Sequence, residues 1–280
     1  MKAIPVMVNG LPGNMARAVA EEVLEDDRFD LVPYSLTGPE IEPEQTSVKG
    51  TSVRLVKPAQ RERSLDTIRS TVADVITVDF TLPDAVNDNA DFYCSRNLPF
   101  VMGTTGGDRR KLLQTVRASR TAAVIAPNMA KQIVGFQAMM EYAADHFPNL
   151  FEGYRLQIRE SHQQGKADTS GTAKAMVSYF NRLGLSFTEA QIEKERDPDR
   201  QSGVWGVPAA FLDGHGWHTY TLTSADETVR FEFTHNVNGR KIYARGTLDA
   251  VGYLHAKVQE GARGEVFSMI DVLRGMGNSS

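Results

Sequence analysis

A short apolar strand that runs into a glycine-punctuated turn and straight on into a helix can be folded in few ways, and this chain begins with one. Residues 3–8 are the strand, and Asn9-Gly10-Leu11-Pro12-Gly13-Asn14 is the turn. A helix pattern over about 15–24 places Met15, Val19, Val23 and Leu24 on one face. Gly10 permits the tight turn. Gly13 lets a pyrophosphate approach the helix N-terminus, where the helix dipole and free amides favour an anion. Leu11 and Pro12 stand where a middle glycine is usual, and no Lys-Ser/Thr pair follows, so the P-loop reading fails.

The pattern that follows keeps to the same theme. Near-continuous apolar stretches at 30–36, 52–56, 75–80, 99–103 and 122–126 alternate with helix-compatible stretches at 61–71, 82–94 and 108–118. Such alternation predicts an α/β fold with a parallel sheet covered on both faces, its ligands gathered at the carboxyl ends of the strands. Three loops at those ends are small or polar and suit a flat cofactor: Asp79-Phe80-Thr81, Gly103-Thr104-Thr105-Gly106, and Ala126-Pro127-Asn128-Met129. Any of them taken singly would be ordinary turn chemistry. At the end of the second strand a site that prefers NAD usually has an acid for the ribose 2′-hydroxyl. Ser35, Thr37 and Gly38 stand there, with Glu40 only later, and the reading leans to NADPH with NADH still admissible.

Composition excludes several function classes. The 280 residues, 41% hydrophobic and 24% charged, can bury a large core and do not read as disordered. A formal net charge of -4 without a long basic run argues against nucleic acid. The one cysteine, Cys94, falls in a helix pattern and reads as a small buried hydrophobe, so no disulfide framework exists. No apolar run approaches a membrane span, and the N-terminus goes straight into a strand with no room for a targeting peptide. The expectation is a cytoplasmic protein, or a plastid stromal one if a transit peptide has been trimmed. No metal is expected.

In the second half, Asn128 caps a helix pattern reaching Phe147, whose Met and Phe stripe reads as core. Lys131 in its first turn opposes the helix dipole and hints at a nearby anion. Residues 154–158 alternate as a strand, and then Arg159-Glu160-Ser161-His162-Gln163-Gln164-Gly165-Lys166-Ala167-Asp168-Thr169 reads as a loop. Ser170 is the N-cap of a helix carrying Ala173, Met176, Val177, Phe180 and Leu183 on one face and stopping at Gly184. The amides of Gly171 and Thr172 then offer a seat for a carboxylate. A capped helix after a polar loop would explain Ser170 alone. Glu160, His162 and Lys166, a carboxylate, an imidazole and an ammonium in one short loop beside an anion seat, ask for chemistry.

Residues 185–216 are turn-rich and read as irregular excursions. Strands at 217–222 and 229–237 form an antiparallel meander in which His218 and His235 read as partly buried, satisfied histidines. Asn238-Gly239 is a hairpin turn that returns through a strand at 241–244. Helices at 247–258 and 264–274 follow, and residues 278–280 read as a frayed tail.

Together these residues resemble the 4-hydroxy-tetrahydrodipicolinate reductases (dihydrodipicolinate reductases) of lysine biosynthesis, in particular their plant-like branch. The resemblance runs through Val8-Asn-Gly-x-x-Gly-x-Met15, Asp79-Phe-Thr81, Gly103-Thr-Thr105 and Pro127-x-Met-x-Lys-Gln132. It continues in Phe231-Glu-Phe-x-His-Asn-Val-x-Gly-Arg240 and Tyr243-Ala-x-Gly-Thr-x-Asp-Ala250. Its most specific piece is Glu160-Ser-His-Gln-x-Gly-Lys-x-Asp-Thr-Ser-Gly-Thr-Ala173. The bacterial pattern has two consecutive histidines where this chain has His162-Gln163, a longer Asp-Ala-Pro-Ser-Gly-Thr run, and an arginine and a glycine in place of Asn14 and Ala16.

The resemblance implies an N-terminal Rossmann-type parallel sheet over 1–127. It implies a second α+β domain on a mixed sheet over 128–258, for substrate binding and oligomerisation, and a C-terminal helix over 259–280 packed back on the first. It implies hydride transfer from NAD(P)H to a cyclic imine carrying two carboxylates, in the diaminopimelate pathway, by a homo-oligomer (dimer or tetramer). His162 would be the proton donor with Lys166 as partner or alternative. Ser170, Gly171, Thr172, Gln163 and Arg240 would bind substrate. Gly10, Gly13, Asn14, Met15, Ser35, Thr37, Asp79, Phe80, Thr81, Gly103, Thr104, Thr105, Pro127, Asn128 and Met129 would line the cofactor site. Two other readings stand beside it. One is a dehydrogenase of the same architecture acting on an amino-acid-like or semialdehyde substrate. The other is an NADPH-sensing regulator, which would need the first domain only.

Overall fold

The computed structural model describes residues 2–276, so the tail at 278–280 lies outside it. The chain divides into two compact units, residues 1–131 with 241–280, and residues 132–240. The second unit ends earlier than the expected 258, because residues 241–258 belong to the first.

The first unit holds a six-stranded parallel sheet. Its strands are β1 (Ile4–Asn9), β2 (Phe29–Leu31), β6 (Ile76–Asp79), β7 (Phe100–Met102), β8 (Ala123–Ile125) and β13 (Val266–Phe267), in the order β13-β8-β7-β6-β1-β2. Val6, Val8, Val78, Val101 and Val124 are fully buried, as strands covered on both faces require. The expected single strand at 30–36 is two, interrupted at Pro33, which has no amide to donate. The second piece, β3 (Tyr34–Leu36), leaves the main sheet. It pairs with β5 (Thr51–Val56), which pairs in turn with β4 (Gln45–Val48), a small sheet the sequence pattern had not suggested.

Helices α1 (Asn14–Glu25), α2 (Arg61–Thr71), α3 (Val86–Ser95) and α4 (Arg109–Arg117) follow the expected stretches closely. The largest departure is α8 (Lys241–Gln259). Residues 241–244 open this helix and form no returning strand. Four residues are too few to separate the two periods. Ala244, Leu248, Val251 and Leu254, all buried, reveal the helical spacing only when the whole stretch is taken. α8 packs on α1 and on the main sheet, and a Cβ at Gly246 would strike the Met129 carbonyl. The final expected helix is β13 followed by α9 (Met269–Met276), which packs on α8.

The second unit is built on a four-stranded mixed sheet of β9 (Arg155–His162), β10 (Glu193–Glu195), β11 (His215–Thr223) and β12 (Arg230–Asn238), in the order β10-β9-β11-β12. Only the β10–β9 pair is parallel. Helices α5 (Lys131–His146) and α6 (Gly171–Arg182) contribute Met140, Met176 and Phe180 to a core with Ile158, Tyr220 and Leu222. A single helical turn, α7 (Pro198–Arg200), and a π-turn over Gln201–Trp205 give partial order to the excursion at 185–216. The cation at the start of α5 is also explained: Lys131 Nζ lies 2.7 Å from an Asp249 carboxylate oxygen on α8, so the nearby anion is a side chain.

Candidate active site

In the first unit the strand order reverses between β1 and β6, the point at which an open parallel sheet leaves a crevice. A cleft of about 600 Å³ opens there, lined by Gly10, Gly13, Thr37, Gly38, Phe80 and Thr81 among others. Close backbone packing sets the glycine turn on its wall. Gly10 has φ +100°, and a Cβ there would lie 2.2 Å from the Phe80 carbonyl oxygen; a Cβ on Gly13 would lie 2.7 Å from the Gly10 oxygen. Neither position admits a side chain. Gly13 caps α1 with no side-chain hydrogen bond and no acid in the first turn, leaving the amides there open to an anion. Asn14 is exposed in that first turn and Met15 is half-buried. A pyrophosphate therefore fits the residues present.

The other expected cofactor residues divide into groups. Thr104, Thr105 and Pro127 line a second, smaller cleft of about 260 Å³. Gly103 is needed for packing, since a Cβ would enter the Phe80 ring. Ser35, Asp79 and Met129 are buried beneath the surface. Asp79 is a scaffold: it accepts hydrogen bonds from the hydroxyls of Thr81 (2.8 Å), Thr104 (2.6 Å) and Tyr93 (2.7 Å) and from Asn89 (3.0 Å). Burial and then the Asp79 charge push the Tyr93 phenol up, so it stays a donor. Ser35 Oγ accepts from the Leu11 amide, the Thr37 hydroxyl donates to the Leu11 carbonyl, and Asn128 Oδ1 accepts from the Ala130 amide. All three shape loops. At the end of β3, the Glu40 carboxylate folds back over Gly38 in the larger cleft. The lean to NADPH rested on the absence of an acid at this place, and that ground is gone.

In the second unit the chemistry lies on strands. β9 continues through Glu160 and His162, which the sequence reading left in a loop. Register explains their company. Across β9, β11 and β12, one face of the sheet carries the rungs Ile158–Tyr220–Phe233, Glu160–His218–His235 and His162–Gly216–Val237. The first rung is core, and the next two turn the same face polar. Glu160 is fully buried and His218 nearly so. His162 Nδ1 is 3.8 Å from Glu160 Oε1, and His218 Nε2 is 3.7 Å from Glu160 Oε2. At those separations the contacts are electrostatic, and neither His218 ring nitrogen has a hydrogen-bond partner among the described residues. His218 is thus no satisfied core histidine, and His235 is only half satisfied, by a 3.3 Å contact with the Tyr220 hydroxyl. Gly216, which the sequence reading did not single out, lies opposite His162, and a Cβ there would lie 3.3 Å from His162 Nε2.

Glu160 also organises the helix cap at which a carboxylate seat was expected. Its Oε2 accepts from the Ser170 amide at 3.1 Å, and Ser170 Oγ accepts from the Thr172 amide at 3.2 Å. Ser170 is the N-cap of α6 as expected, but the cap uses the Thr172 amide and leaves the exposed Gly171 amide as the open donor. Lys166 is half-buried and its Nζ donates to the exposed Asp168 carboxylate at 3.1 Å. Gln163 is half-buried beside His162 in sequence, and Arg240 closes the second unit, partly buried. Two further residues escaped the sequence reading. Arg196 pairs with Glu160, and fully buried Gln201 donates to the His162 carbonyl at 2.6 Å. The one available signal was Glu160 itself, because an acid on the inward parity of a strand demands a cation from elsewhere.

Electrostatics separate the charged groups. Burial pushes the Glu160 carboxyl up, but His218, Arg196, His162 and the Ser170 amide together hold it down to about 2. Burial, followed by His218, lowers His162 to about 3 against the opposing pull of Glu160. Burial also takes His235 down to about 4. At neutral pH the resting site is an anionic Glu160 beside neutral His162. Glu160, His162 and His218 bring potential metal donors within 4.8 Å of one another. Arg196 and the Ser170 amide already occupy the carboxylate, and a guanidinium in the cluster disfavours a second cation.

A dinucleotide-type sheet joined in one chain to a second sheet with a buried acid–imidazole face defines a nicotinamide-dependent oxidoreductase. Residues 4–129 match the family model for the N-terminus of dihydrodipicolinate reductase, and residues 133–273 match the model for its C-terminus. The chain belongs to the dihydrodipicolinate reductase family. It is 47% identical to the probable 4-hydroxy-tetrahydrodipicolinate reductase 1, chloroplastic, of Oryza sativa subsp. japonica, over 97% of this chain and 79% of that protein. It is 46% identical to the chloroplastic reductase 1 of Arabidopsis thaliana, over 97% and 78% respectively. The dipicolinate-bound dihydrodipicolinate reductase from Paenisporosarcina sp. TG-14 shares the fold, with a TM-score of 0.65 at 18% identity over 95% of this chain and 97% of that one. No helix among the described residues is long and apolar enough to cross a membrane.

Proposed function

We propose that this chain reduces 4-hydroxy-tetrahydrodipicolinate to tetrahydrodipicolinate with NAD(P)H, in the diaminopimelate route to lysine. The observation that carries the reading is the buried Glu160, which ties the Ser170 cap of a carboxylate seat to the face bearing His162. The main-chain turn Gly10–Gly13 and the hydroxyl-lined strand ends would hold the dinucleotide, with Thr81 and Thr105 toward its nicotinamide half. When bound, the dihydronicotinamide supplies the hydride.

The chain's own residues do the rest. The Gly171 amide and Lys166 bind one substrate carboxylate, and Gln163, Thr172 and Arg240 contribute to substrate binding. Hydride addition at one end of the conjugated imine leaves an enamine-like carbon that needs a proton, and His162 delivers it. His162 is neutral at rest, so the dianionic substrate must draw a proton onto it by adding negative charge beside a ring that desolvation keeps neutral. That same low value favours a second reading, in which Lys166 is the donor.

The two plant relatives are named as chloroplastic, and a plastid stroma is the compartment this likeness supports. A homo-oligomer is part of the proposal. The outward residues of β12, including Arg230, Glu232 and Thr234, are exposed and open to a second copy, and sedimentation velocity tests this directly. Absorbance at the nicotinamide band, with the substrate generated in situ, tests the function. Substrate-dependent oxidation of NADPH or NADH is expected, and oxidation of neither would overturn the reading.

A further inference from the structure

The connection that follows β10 carries a side chain that the reaction as described does not use. Arg196 is largely buried, with its side chain 18% exposed. Its guanidinium spreads its donors over three segments. Nε donates to the Lys166 carbonyl at 2.8 Å, Nη1 to the Glu195 carbonyl at 2.9 Å, and Nη2 to the Glu160 carboxylate, with a longer 3.5 Å contact to the Asp168 carbonyl. Glu160 in turn accepts the Ser170 amide and stands 3.8 Å from His162 Nδ1. One planar fork therefore links the loop that carries Lys166, the cap of the carboxylate seat and the strand that carries His162. A lysine could supply the charge but not the fork.

We propose that Arg196 is a positioning residue for the reduction, holding the 166–168 loop and the Glu160 carboxylate in one geometry before the dicarboxylate arrives. The proposal rests on the reductase reading. It is the second-unit answer to an exposed loop: residues 164, 165, 167 and 168 are exposed, and without the fork their ordering would fall to the binding step. The groups that face His162 are Glu160 on β9, His218 on β11, Arg196 after β10 and Lys166 on the loop. Loss of the Arg196 cation removes a positive charge facing the ring and leaves the Glu160 carboxylate less compensated beside it. Both consequences stabilise the imidazolium, so the His162 titration must move upward.

Arg196→Lys and Arg196→Met test this with three readouts: binding of pyridine-2,6-dicarboxylate, the His162 ring titration by NMR, and kcat against KM. Arg196→Lys should keep the His162 titration near that of the parent while weakening dicarboxylate binding by at least about tenfold, the scale of a misplaced binding group. Arg196→Met should weaken binding as much and also shift the titration to higher pH. Unchanged dicarboxylate binding in Arg196→Lys would overturn the proposal, as would an unmoved titration in a folded Arg196→Met. If the methionine variant does not fold, the lysine variant alone decides. Failure of the reductase reading would look different, because the parent would then oxidise no nicotinamide while its His162 titration still answered to Arg196.

Discussion

The two recognition regions of this molecule are made of different materials. The first-unit cleft sets a main-chain turn, where Gly10 and Gly13 leave room, against largely apolar walls that include Leu36, Ile41 and Phe80, while Asp79 and Ser35 below brace its loops. The second-unit site is side chains: Glu160, His162, His218 and Arg196 meet from three strand-borne segments up to 58 residues apart in numbering, within one rung and its neighbours. The glycine turn depends on local backbone and admits no added Cβ at two positions. A side-chain cluster is the reverse, since its backbone is ordinary strand while each polar group depends on the others. Under the proposed function, the first holds a ligand without chemistry and the second moves a proton.

Variants can break that contrast. The largest effect is expected from His162→Ala, with kcat lower by roughly 10²–10⁴ as for a lost general acid, while KM for either nucleotide changes little. Steady-state kinetics with both nucleotides would show it. If Lys166 delivers the proton instead, Lys166→Ala takes the larger loss in kcat.

Next comes Gly10→Ala, which places a Cβ against the Phe80 carbonyl at φ +100°. It should cost about 1–3 kcal/mol of stability and weaken nucleotide binding. Urea unfolding and nucleotide fluorescence titration measure the two, and the His162 titration should stay where it is.

The contrast also predicts a pH dependence that belongs to the second unit. Glu160 is held down to about 2, His162 to about 3 and His235 to about 4, each below its unfolded value. For all three the unfolded chain binds protons more readily. The stability they contribute is complete above about pH 6.5, the unfolded histidine value, and is lost as pH falls through the folded values. Urea midpoints should therefore drop steadily from neutrality to pH 4. His235→Phe should flatten that slope, and an unchanged slope would remove His235 from the account.

The smallest effect is expected in the first cleft. Glu40→Gln removes the carboxylate that folds over Gly38 and should shift the NADPH-to-NADH preference toward NADPH by roughly 2- to 5-fold, the scale of one exposed charge. Paired KM measurements would detect it.

What could be read in advance follows the same division. Apolar strands and glycine turns are local signals, so β1, β6, β7, β8 and helices α1 to α4 stood close to their expected places. Pro33 divided a strand whose apolar run looked continuous, and the helical period of α8 was hidden because its first four residues follow a hairpin-like Asn238-Gly239. At the site, Ser170 was legible as an N-cap because capping is a three-residue affair. Glu160 and His162 were named but placed in a loop, although the parity of Leu156 and Ile158 already carried them to the inward face. Arg196, Gln201, His218 and Gly216 owe their roles to register and long-range pairing, which no local spacing reports.

The central claim is that the glycine-turn cleft binds and the buried acid–imidazole face reacts. The most direct test is a single-turnover measurement on His162→Ala, with nucleotide Kd determined separately on the same protein. The account predicts an unchanged nucleotide Kd and a product-forming step slowed by about 100-fold or more. Near-parental turnover, or a slow step traced wholly to lost nucleotide binding, would contradict it.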